Sequence, residues 1–159
     1  MSKISPLAFI DPEAKIGENC EIGPFCFIDK NVEIGDNNVL MNSVRVLYGA
    51  RIGNGNVIFP GAVISAVPQD LKFQGEDTTA EVGDNNKIRE NVTINRGTAA
   101  KGKTCVGSGN LLMESVHVAH DAFVGNDCII GNGTKLAGEI IIDDHAIISA
   151  NVLMHQFCR

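Results

Sequence analysis

The segment from Ser115 to Asp121 contains the residues of this chain that are best suited to chemistry near neutral pH. It places the imidazoles of His117 and His120 three residues apart, with the carboxylate of Asp121 directly after the second. A histidine can take a proton from a hydroxyl, and an adjacent aspartate can fix the tautomer of the ring and stabilise the imidazolium. Two solvated histidines on the surface of a repeat protein would give the same pattern. The rest of the sequence must therefore show whether these histidines form a general-base site or are solvated surface residues without a catalytic role.

The composition indicates one compact domain without a nucleic-acid partner. The chain has 159 residues, of which 44% are hydrophobic and 20% charged, and this excludes general disorder. The formal charge of −6 disfavours binding to a phosphate backbone, which needs concentrated Lys and Arg. No long apolar run occurs, and residues 1–6 lack an apolar signal core. We therefore expect a cytoplasmic protein that is neither secreted nor inserted into a membrane.

The cysteines favour neither a disulfide framework nor a zinc site. There are five, an odd number, and none forms a Cys-x-x-Cys pair. Cys20, Cys26 and Cys128 fall at a recurring position that elsewhere holds alanine, so we expect them to be reduced and to pack in the core.

Aliphatic residues recur at every sixth position along the whole chain. Counting in sixes from Ile4 to Met154 gives 26 positions, of which 23 are Ile, Val, Leu or Met. The residue that follows is often glycine, which we expect to relieve the corners between short strands. These glycines are Gly17, Gly23, Gly35, Gly53, Gly83, Gly107, Gly125 and Gly131. A period of six fits neither an α-helix nor a lone amphipathic strand, but it does fit a parallel β-helix with tight corners.

Three positions break the six-residue pattern, and they lie in two segments. Asp70 and Glu76 fall in residues 66–79, where Pro68 and several charges interrupt the repeat, and Ala100 falls in residues 96–104. The pattern resumes in phase after both segments, which predicts two loops that leave the β-helix and return to it. Such loops either form plain surface or carry binding groups on a rigid scaffold.

The repeat resembles the hexapeptide-repeat family of left-handed β-helix acyltransferases over essentially the whole chain. Five strings resemble more closely the UDP-N-acetylglucosamine O-acyltransferases of lipid A biosynthesis. They are Pro68-Gln-Asp-Leu-Lys72, Ile88-Arg-Glu-Asn-Val-Thr-Ile-Asn-Arg-Gly-Thr98, His117-Val-Ala-His-Asp121, Leu136-Ala-Gly138 and His155-Gln-Phe-Cys158. The resemblance implies an all-β fold, in which a left-handed parallel β-helix forms a triangular prism with two projecting loops. Three hexads would make one coil, and coils of this kind are stable only when stacked.

The same resemblance implies an activity and its partners. Members of the family form a homotrimer with active sites in clefts between subunits. They transfer a 3-hydroxyacyl group from acyl carrier protein to the glucosamine 3-hydroxyl of UDP-N-acetylglucosamine, which is the first step of lipid A biosynthesis. The resemblance implies no metal and no resident cofactor, because the acyl donor arrives on the phosphopantetheine arm of the carrier protein.

Roles for individual residues also follow from matching positions. His120 is similar to the general base of the family, Asp121 to its partner, and the backbone N–H of Gly138 to the oxyanion donor. The positions matching substrate contacts are Asp70, Lys72, His117, His155 and Gln156. Glu139 and Asn95 stand where some members have histidine, so the resemblance assigns these two side chains no contact.

Three other functions fit parts of the sequence. Related β-helices include zinc hydratases that bind the metal through three histidines, for which the candidates are His117, His120, His145 and His155. A trimeric scaffold without catalysis is the second. The third is the sister N-acyltransferase of the same pathway, although that enzyme normally carries an added N-terminal domain. The sequence leaves open the acyl chain length and the choice between a 3-hydroxyl and a 3-amino acceptor.

Residues 1–159 are expected to form a single β-helix domain. The chain ends at Arg159, directly after the His-Gln-Phe-Cys string, whereas the resemblance implies further coils and a C-terminal helical domain. On this basis we expect weak or no transferase activity and association through the C-terminal end.

Overall fold

Short parallel strands recur every six residues in the computed structural model, which describes residues 1–159. Successive strands lie in three different sheets, and the strands of each sheet are every third strand of the chain. The chain thus winds as a left-handed parallel β-helix around a triangular prism, which confirms the fold that the six-residue period predicts. It contains no helix of the length and apolarity that crossing a bilayer requires.

Each face of the prism is one sheet, with every neighbouring pair of strands parallel. The first face contains β1 (Lys3–Ile4), β4 (Glu21–Ile22), β7 (Val39–Leu40), β10 (Val57–Ile58), β13 (Lys87–Ile88), β16 (Leu111–Leu112), β19 (Ile129–Ile130) and β22 (Ile147–Ile148). The second face contains β2 (Phe9–Ile10), β5 (Phe27–Ile28), β8 (Arg45–Val46), β11 (Val63–Ala66), β14 (Thr93–Asn95), β17 (His117–Val118), β20 (Lys135–Leu136) and β23 (Leu153–Met154). The third face contains β3 (Lys15–Ile16), β6 (Glu33–Ile34), β9 (Ala50–Ile52), β12 (Thr79–Val82), β15 (Lys103–Val106), β18 (Phe123–Val124) and β21 (Ile141–Ile142).

The aliphatic residues of the repeat form the core of the prism. From Ile22 to Ile142 every such residue that lies in a strand is at most 5% exposed. Burying an aliphatic side chain of this size contributes roughly 1.5–3 kcal/mol, which explains why so narrow a body can fold without large aromatic rings. Cys20, Cys26 and Cys128 belong to the same core, as the repeat predicts.

The glycines that follow the aliphatic residues have a different role from the one that the sequence suggests. Their φ angles are not positive, whereas left-handed conformations occur two residues later at positions such as Asn19 and Asn37, with φ of 55° and 58°. A Cβ built on Gly35 would lie 2.7 Å from the carbonyl oxygen of Gly53 in the next coil. Glycine is therefore required because stacked coils approach each other closely. The turn is made two residues later, where asparagine or a second glycine is common but Phe25 and Asp127 also occur.

Two segments leave the prism, as the interrupted repeat predicts. Most coils advance by 18 residues, as in the pairing of Lys3 with Glu21. Val82, however, pairs with Ile52 on one side and with Val106 on the other, so these two coils are longer by twelve and by six residues. We call residues 67–78 the long loop and residues 96–102 the short loop. Both loops project between the second and the third face and rejoin the sheets in register.

A row of buried asparagines runs along one edge of the prism. Asn38, Asn56, Asn86 and Asn110 stack in successive coils, and each is at most 1% exposed. The Asn86 amide nitrogen donates to the Oδ1 of Asn56 at 3.0 Å and to the carbonyl of Gly107 at 2.9 Å. The Oδ1 of Asn86 accepts the backbone N–H of Asn110 at 2.9 Å. The row therefore satisfies corner groups that would otherwise be buried without partners.

We expect Asn86→Ala to lower the free energy of unfolding by about 2–4 kcal/mol, because it leaves the N–H of Asn110 and the carbonyl of Gly107 without partners. Asn132→Ala is the matched control, since Asn132 is exposed and should change stability by less than about 0.5 kcal/mol. Equilibrium unfolding in urea at equal protein concentration measures both. Similar values for the two variants would refute a stabilising role for the asparagine row.

Candidate active site

The stacking of coils brings residues 18 positions apart into vertical rows, and this builds the candidate site. Lys135 lies beside His117 in the pairing of β17 with β20, and Thr93 lies on the other side of His117 in β14. His120 follows β17 at a corner of the prism, and Gly138 occupies the same corner one coil later. Side chains far apart in the sequence are thus neighbours because each coil returns to the same face, after 18 residues between His117 and Lys135 and after 24 between Thr93 and His117, where the short loop intervenes.

His120 and Asp121 form a direct hydrogen bond. The Nδ1 atom of His120 lies 2.8 Å from the Oδ2 atom of Asp121, and their side chains are 12% and 0% exposed. A carboxylate can only accept, so Nδ1 carries the proton and Nε2 is left with a free lone pair. The pair therefore has the arrangement of a base whose tautomer is fixed by a carboxylate.

Gly138 packs directly against the imidazole of His120. A Cβ at this position would lie 2.6 Å from Cε1 and 2.8 Å from Nε2 of the ring, so any other residue would displace the histidine or cover its free nitrogen. The backbone N–H of Gly138 has no acceptor within the chain. A free N–H donor next to a free imidazole nitrogen is an arrangement that acyl-transfer sites use.

His117 is held in its neutral form. Its Nδ1 lies 2.7 Å from the hydroxyl oxygen of Thr93. Burial lowers the pKa of His117 below the ordinary value of 6.5, and the positive charge of Lys135, followed by the neighbouring imidazole of His120, lowers it further. Because the pKa falls on folding, the stability contributed by neutral His117 is present above pH 6.5. It declines as the pH falls from 6.5 through the lower folded-state pKa.

Most of the residues singled out in the sequence line two concave regions of the surface. The first, which we call the His120 cavity, has a volume of about 320 Å³ and is lined by His117, His120 and Gly138. The second, which we call the loop groove, has a volume of about 400 Å³ and is lined by Asp70, Lys72, Glu76, Glu139, Gln156 and Thr98 among others. The lining of the loop groove includes three carboxylates and one cation, Lys72.

Two residues from the sequence analysis lie elsewhere. His155 is exposed, lines neither concave region, and has its Nδ1 3.1 Å from the carbonyl oxygen of Gln156. Asn95 is 2% exposed, and its Oδ1 has no hydrogen-bond partner. The structure therefore brings together His117, His120, Asp121 and Gly138, with Asp70, Lys72 and Gln156 in the neighbouring groove, but not His155.

Sequence reasoning missed three contributors to the site. Gln69 of the long loop and Lys135 of β20 line the His120 cavity, and Thr98 of the short loop binds the carboxylate of Asp121. Lys135 could have been found from the 18-residue period, since it lies one coil after His117. Gln69 and Thr98 depend on the paths of irregular loops, which no period describes.

The histidines do not converge on a metal site. No three His, Cys, Asp or Glu side chains of the chain are close enough together to hold an ion. His145, one of the candidates for zinc binding, lies on an exposed corner with Asp127 3.9 Å away.

The largest concavity, of about 850 Å³, runs along the third face and contains no histidine. Several of its charged groups are in ion pairs, with Lys15 3.0 Å from Glu33 and Glu81 3.1 Å from the nearby Lys103. Burial, followed by the charge of Glu81, raises the pKa of the Cys105 thiol there. A thiol with a raised pKa is a poor nucleophile, so the His120 cavity is the better candidate for chemistry.

Together, the fold and the site define a hexapeptide-repeat β-helix protein with a carboxylate-oriented imidazole in a lateral cavity. No model of a known protein family matches the sequence. The chain is 45% identical over 160 aligned residues to an acyl-[acyl-carrier-protein]–UDP-N-acetylglucosamine O-acyltransferase of Aliarcobacter butzleri, covering all of this chain and 62% of that protein. Over its whole length the chain is thus similar to UDP-N-acetylglucosamine O-acyltransferases.

Solved structures show the same similarity. The crystal structure of a UDP-N-acetylglucosamine acyltransferase from Bacteroides fragilis matches with a TM-score of 0.96 and 75% identity, covering 98% of this chain and 61% of that one. The enzyme from Francisella novicida matches with a TM-score of 0.96 and 46% identity, covering 98% of this chain and 57% of that one. The chain thus spans about three fifths of the length of these relatives.

We expect Lys135→Met to raise the pKa of His117, because it removes the positive charge that lies beside the ring in the neighbouring coil. The pKa should stay below 6.5, since burial remains the larger cause. Lys135→Arg keeps the charge and serves as the control. Titration of the histidine ring protons by NMR measures the shift, and identical titration of Lys135→Met and wild type would contradict the assigned cause.

Proposed function

We propose that this chain carries the catalytic β-helix of a UDP-N-acetylglucosamine O-acyltransferase. The reaction transfers a 3-hydroxyacyl group from acyl carrier protein to the glucosamine 3-hydroxyl in lipid A biosynthesis. The observation that carries the proposal is the imidazole of His120, fixed by Asp121 at 2.8 Å and packed against Gly138 inside a cavity. The similarity to the acyl-[acyl-carrier-protein]–UDP-N-acetylglucosamine O-acyltransferase of Aliarcobacter butzleri supports the same donor and a hydroxyl acceptor.

His120 acts as the general base in this proposal. A sugar hydroxyl is a poor nucleophile at neutral pH, and a positioned imidazole accelerates its attack by roughly 10²–10⁴-fold. The hydroxyl oxygen attacks the thioester carbonyl while its proton passes to Nε2 of His120. Asp121 stabilises the resulting imidazolium through Nδ1. Collapse of the tetrahedral intermediate breaks the C–S bond, and the imidazolium returns the proton to the departing thiolate.

Gly138 supplies the oxyanion donor. The carbonyl oxygen of the thioester becomes negatively charged during attack, and a preorganised backbone N–H can stabilise that charge. Losing one such donor typically costs about 2.7–4 kcal/mol of transition-state stabilisation. The free N–H of Gly138 and the space left by its missing side chain support this role.

The remaining assignments concern binding and assembly. Asp70, Lys72 and Gln156 contact the substrate from the loop groove, and His117 contacts it from the His120 cavity. His155 is assigned a substrate contact from its position in the sequence alone. The partners are acyl carrier protein, UDP-N-acetylglucosamine and two further copies of the chain in a cytoplasmic homotrimer. The reaction as proposed uses no resident cofactor.

We expect His120→Ala to lower acyl transfer by at least about 100-fold, because the base is lost while no residue of the aliphatic core is changed. His145→Ala is the matched control, since it removes an exposed histidine from a corner of the same prism and should leave the rate unchanged. The assay follows acyl-UDP-N-acetylglucosamine formation from acyl carrier protein thioester. Retention of more than about a tenth of wild-type activity in folded protein would remove His120 from the role of base.

We further expect the sugar hydroxyl to attack directly, without an acyl-enzyme intermediate. No cysteine or serine lines the His120 cavity, and burial raises the pKa of the Cys105 thiol. Intact-protein mass spectrometry after incubation with the acyl donor alone measures this. An adduct of acyl mass that forms and is then consumed on addition of UDP-N-acetylglucosamine would contradict direct attack.

A further inference from the structure

Asp121 is a buried carboxylate whose acceptor positions are filled by donors. Its side chain is 0% exposed, and its backbone has a positive φ of 60°. Its Oδ2 lies 2.6 Å from the hydroxyl of Thr98 and 2.8 Å from Nδ1 of His120. Its Oδ1 accepts the backbone N–H of Thr98 at 3.0 Å and that of Lys101 at 3.3 Å. Burying a carboxylate is unfavourable unless such donors surround it.

All of these donors except His120 come from the short loop. Thr98 is 7% exposed and binds both carboxylate oxygens, with its N–H on Oδ1 and its O–H on Oδ2. The Thr98 hydroxyl also accepts the N–H of Ala100 at 3.2 Å, which fixes its oxygen and aims its proton at Asp121. Lys101 places its ammonium 3.3 Å from the backbone carbonyl oxygen of Asp121. The six extra residues of this coil thus enclose one carboxylate.

The Thr98 hydroxyl and the His120 ring share a single oxygen atom. The carboxylate of Asp121 can rotate about its terminal bond, and only one orientation lets Oδ2 accept from both groups. The two contacts of Thr98 on different oxygens select that orientation. The orientation of the carboxylate in turn determines which tautomer His120 adopts and where its Nε2 points.

We propose that Thr98 is a positioning residue that orients the base His120 through Asp121. The inference rests on the proposed function for its catalytic consequence, although the hydrogen-bond relay itself does not depend on which reaction is catalysed. Thr98 also borders the loop groove, so the proposal must be distinguished from a role in substrate binding.

The kinetic test compares variants of Thr98 that keep or remove the hydroxyl. Thr98→Val and Thr98→Ala both remove it. The alanine variant is included because valine could change the packing, and an effect seen in both variants can be assigned to loss of the hydroxyl. We expect both to lower kcat about 10- to 100-fold with little change in KM, and Thr98→Ser to restore most of the lost rate. A rise in KM at unchanged kcat would instead show a substrate contact and overturn the proposal.

Thr78→Val is the matched control. The Thr78 hydroxyl is also buried, and it donates to the carbonyl of Gly97 at 2.6 Å, so it anchors the same loop without touching Asp121. Thermal unfolding of all variants reports any loss of stability. If Thr78→Val lowered kcat as much as Thr98→Val, general weakening of the loop would explain the effect, and the relay would be rejected.

A spectroscopic measurement separates this inference from the proposed function. The Nδ1 proton of His120, bound to a buried carboxylate, should give a downfield proton NMR signal that is absent from His120→Ala. We expect this signal to be lost or strongly shifted in Thr98→Val and Thr98→Ala and retained in Thr98→Ser and Thr78→Val. An unchanged signal in the two hydroxyl-deleted variants overturns the relay. A changed signal in a chain without acyl transfer activity supports the relay and rejects only the reaction.

Discussion

Every feature of this chain depends on the backbone hydrogen bonds between stacked coils. The strands are two to four residues long, so they cannot be stable alone, and their N–H and C=O groups are satisfied only by the coils above and below. This pairing requires each coil to return to the same register. Extra residues must therefore leave the prism entirely, as they do where Val82 pairs with Ile52 and with Val106.

The same constraint governs the polar groups inside the prism. A side chain at a corner lies directly above its counterpart in the next coil, so a buried amide can be satisfied by repeating it. The Oδ1 atom of Asn56, for example, accepts both the backbone N–H and the side-chain amide of Asn86. At other corners a side chain is excluded. At Gly35 the backbone of the next coil lies so close that there is no space for a Cβ. Regular stacking thus determines which residues are tolerated at each corner.

The candidate site lies where regular stacking meets the two loops. The scaffold places Gly138 against His120, and the short loop supplies the donors that bury Asp121. The long loop is held over this region because the guanidinium of Arg96 lies 5.2 Å from the ring of Phe73. The prism and the loops together leave the His120 side chain only 12% exposed, and such burial strengthens the electrostatic interactions there.

The sequence by itself determined the period, and with it the fold, the core, the two excursions from the prism and the adjacency of His120 and Asp121. These follow from repetition, because a residue that recurs every six positions must face the same way in every coil. Only the tertiary structure decided that Thr98 binds Asp121, that His155 lies outside both concave regions, and that the Oδ1 of Asn95 is buried without a partner. The contact of Thr98 with Asp121 joins residues 23 positions apart and depends on the irregular backbone of the short loop, residues 96–102, which no repeating pattern describes. Its physical reason is local, because a buried carboxylate is unfavourable unless donors surround it.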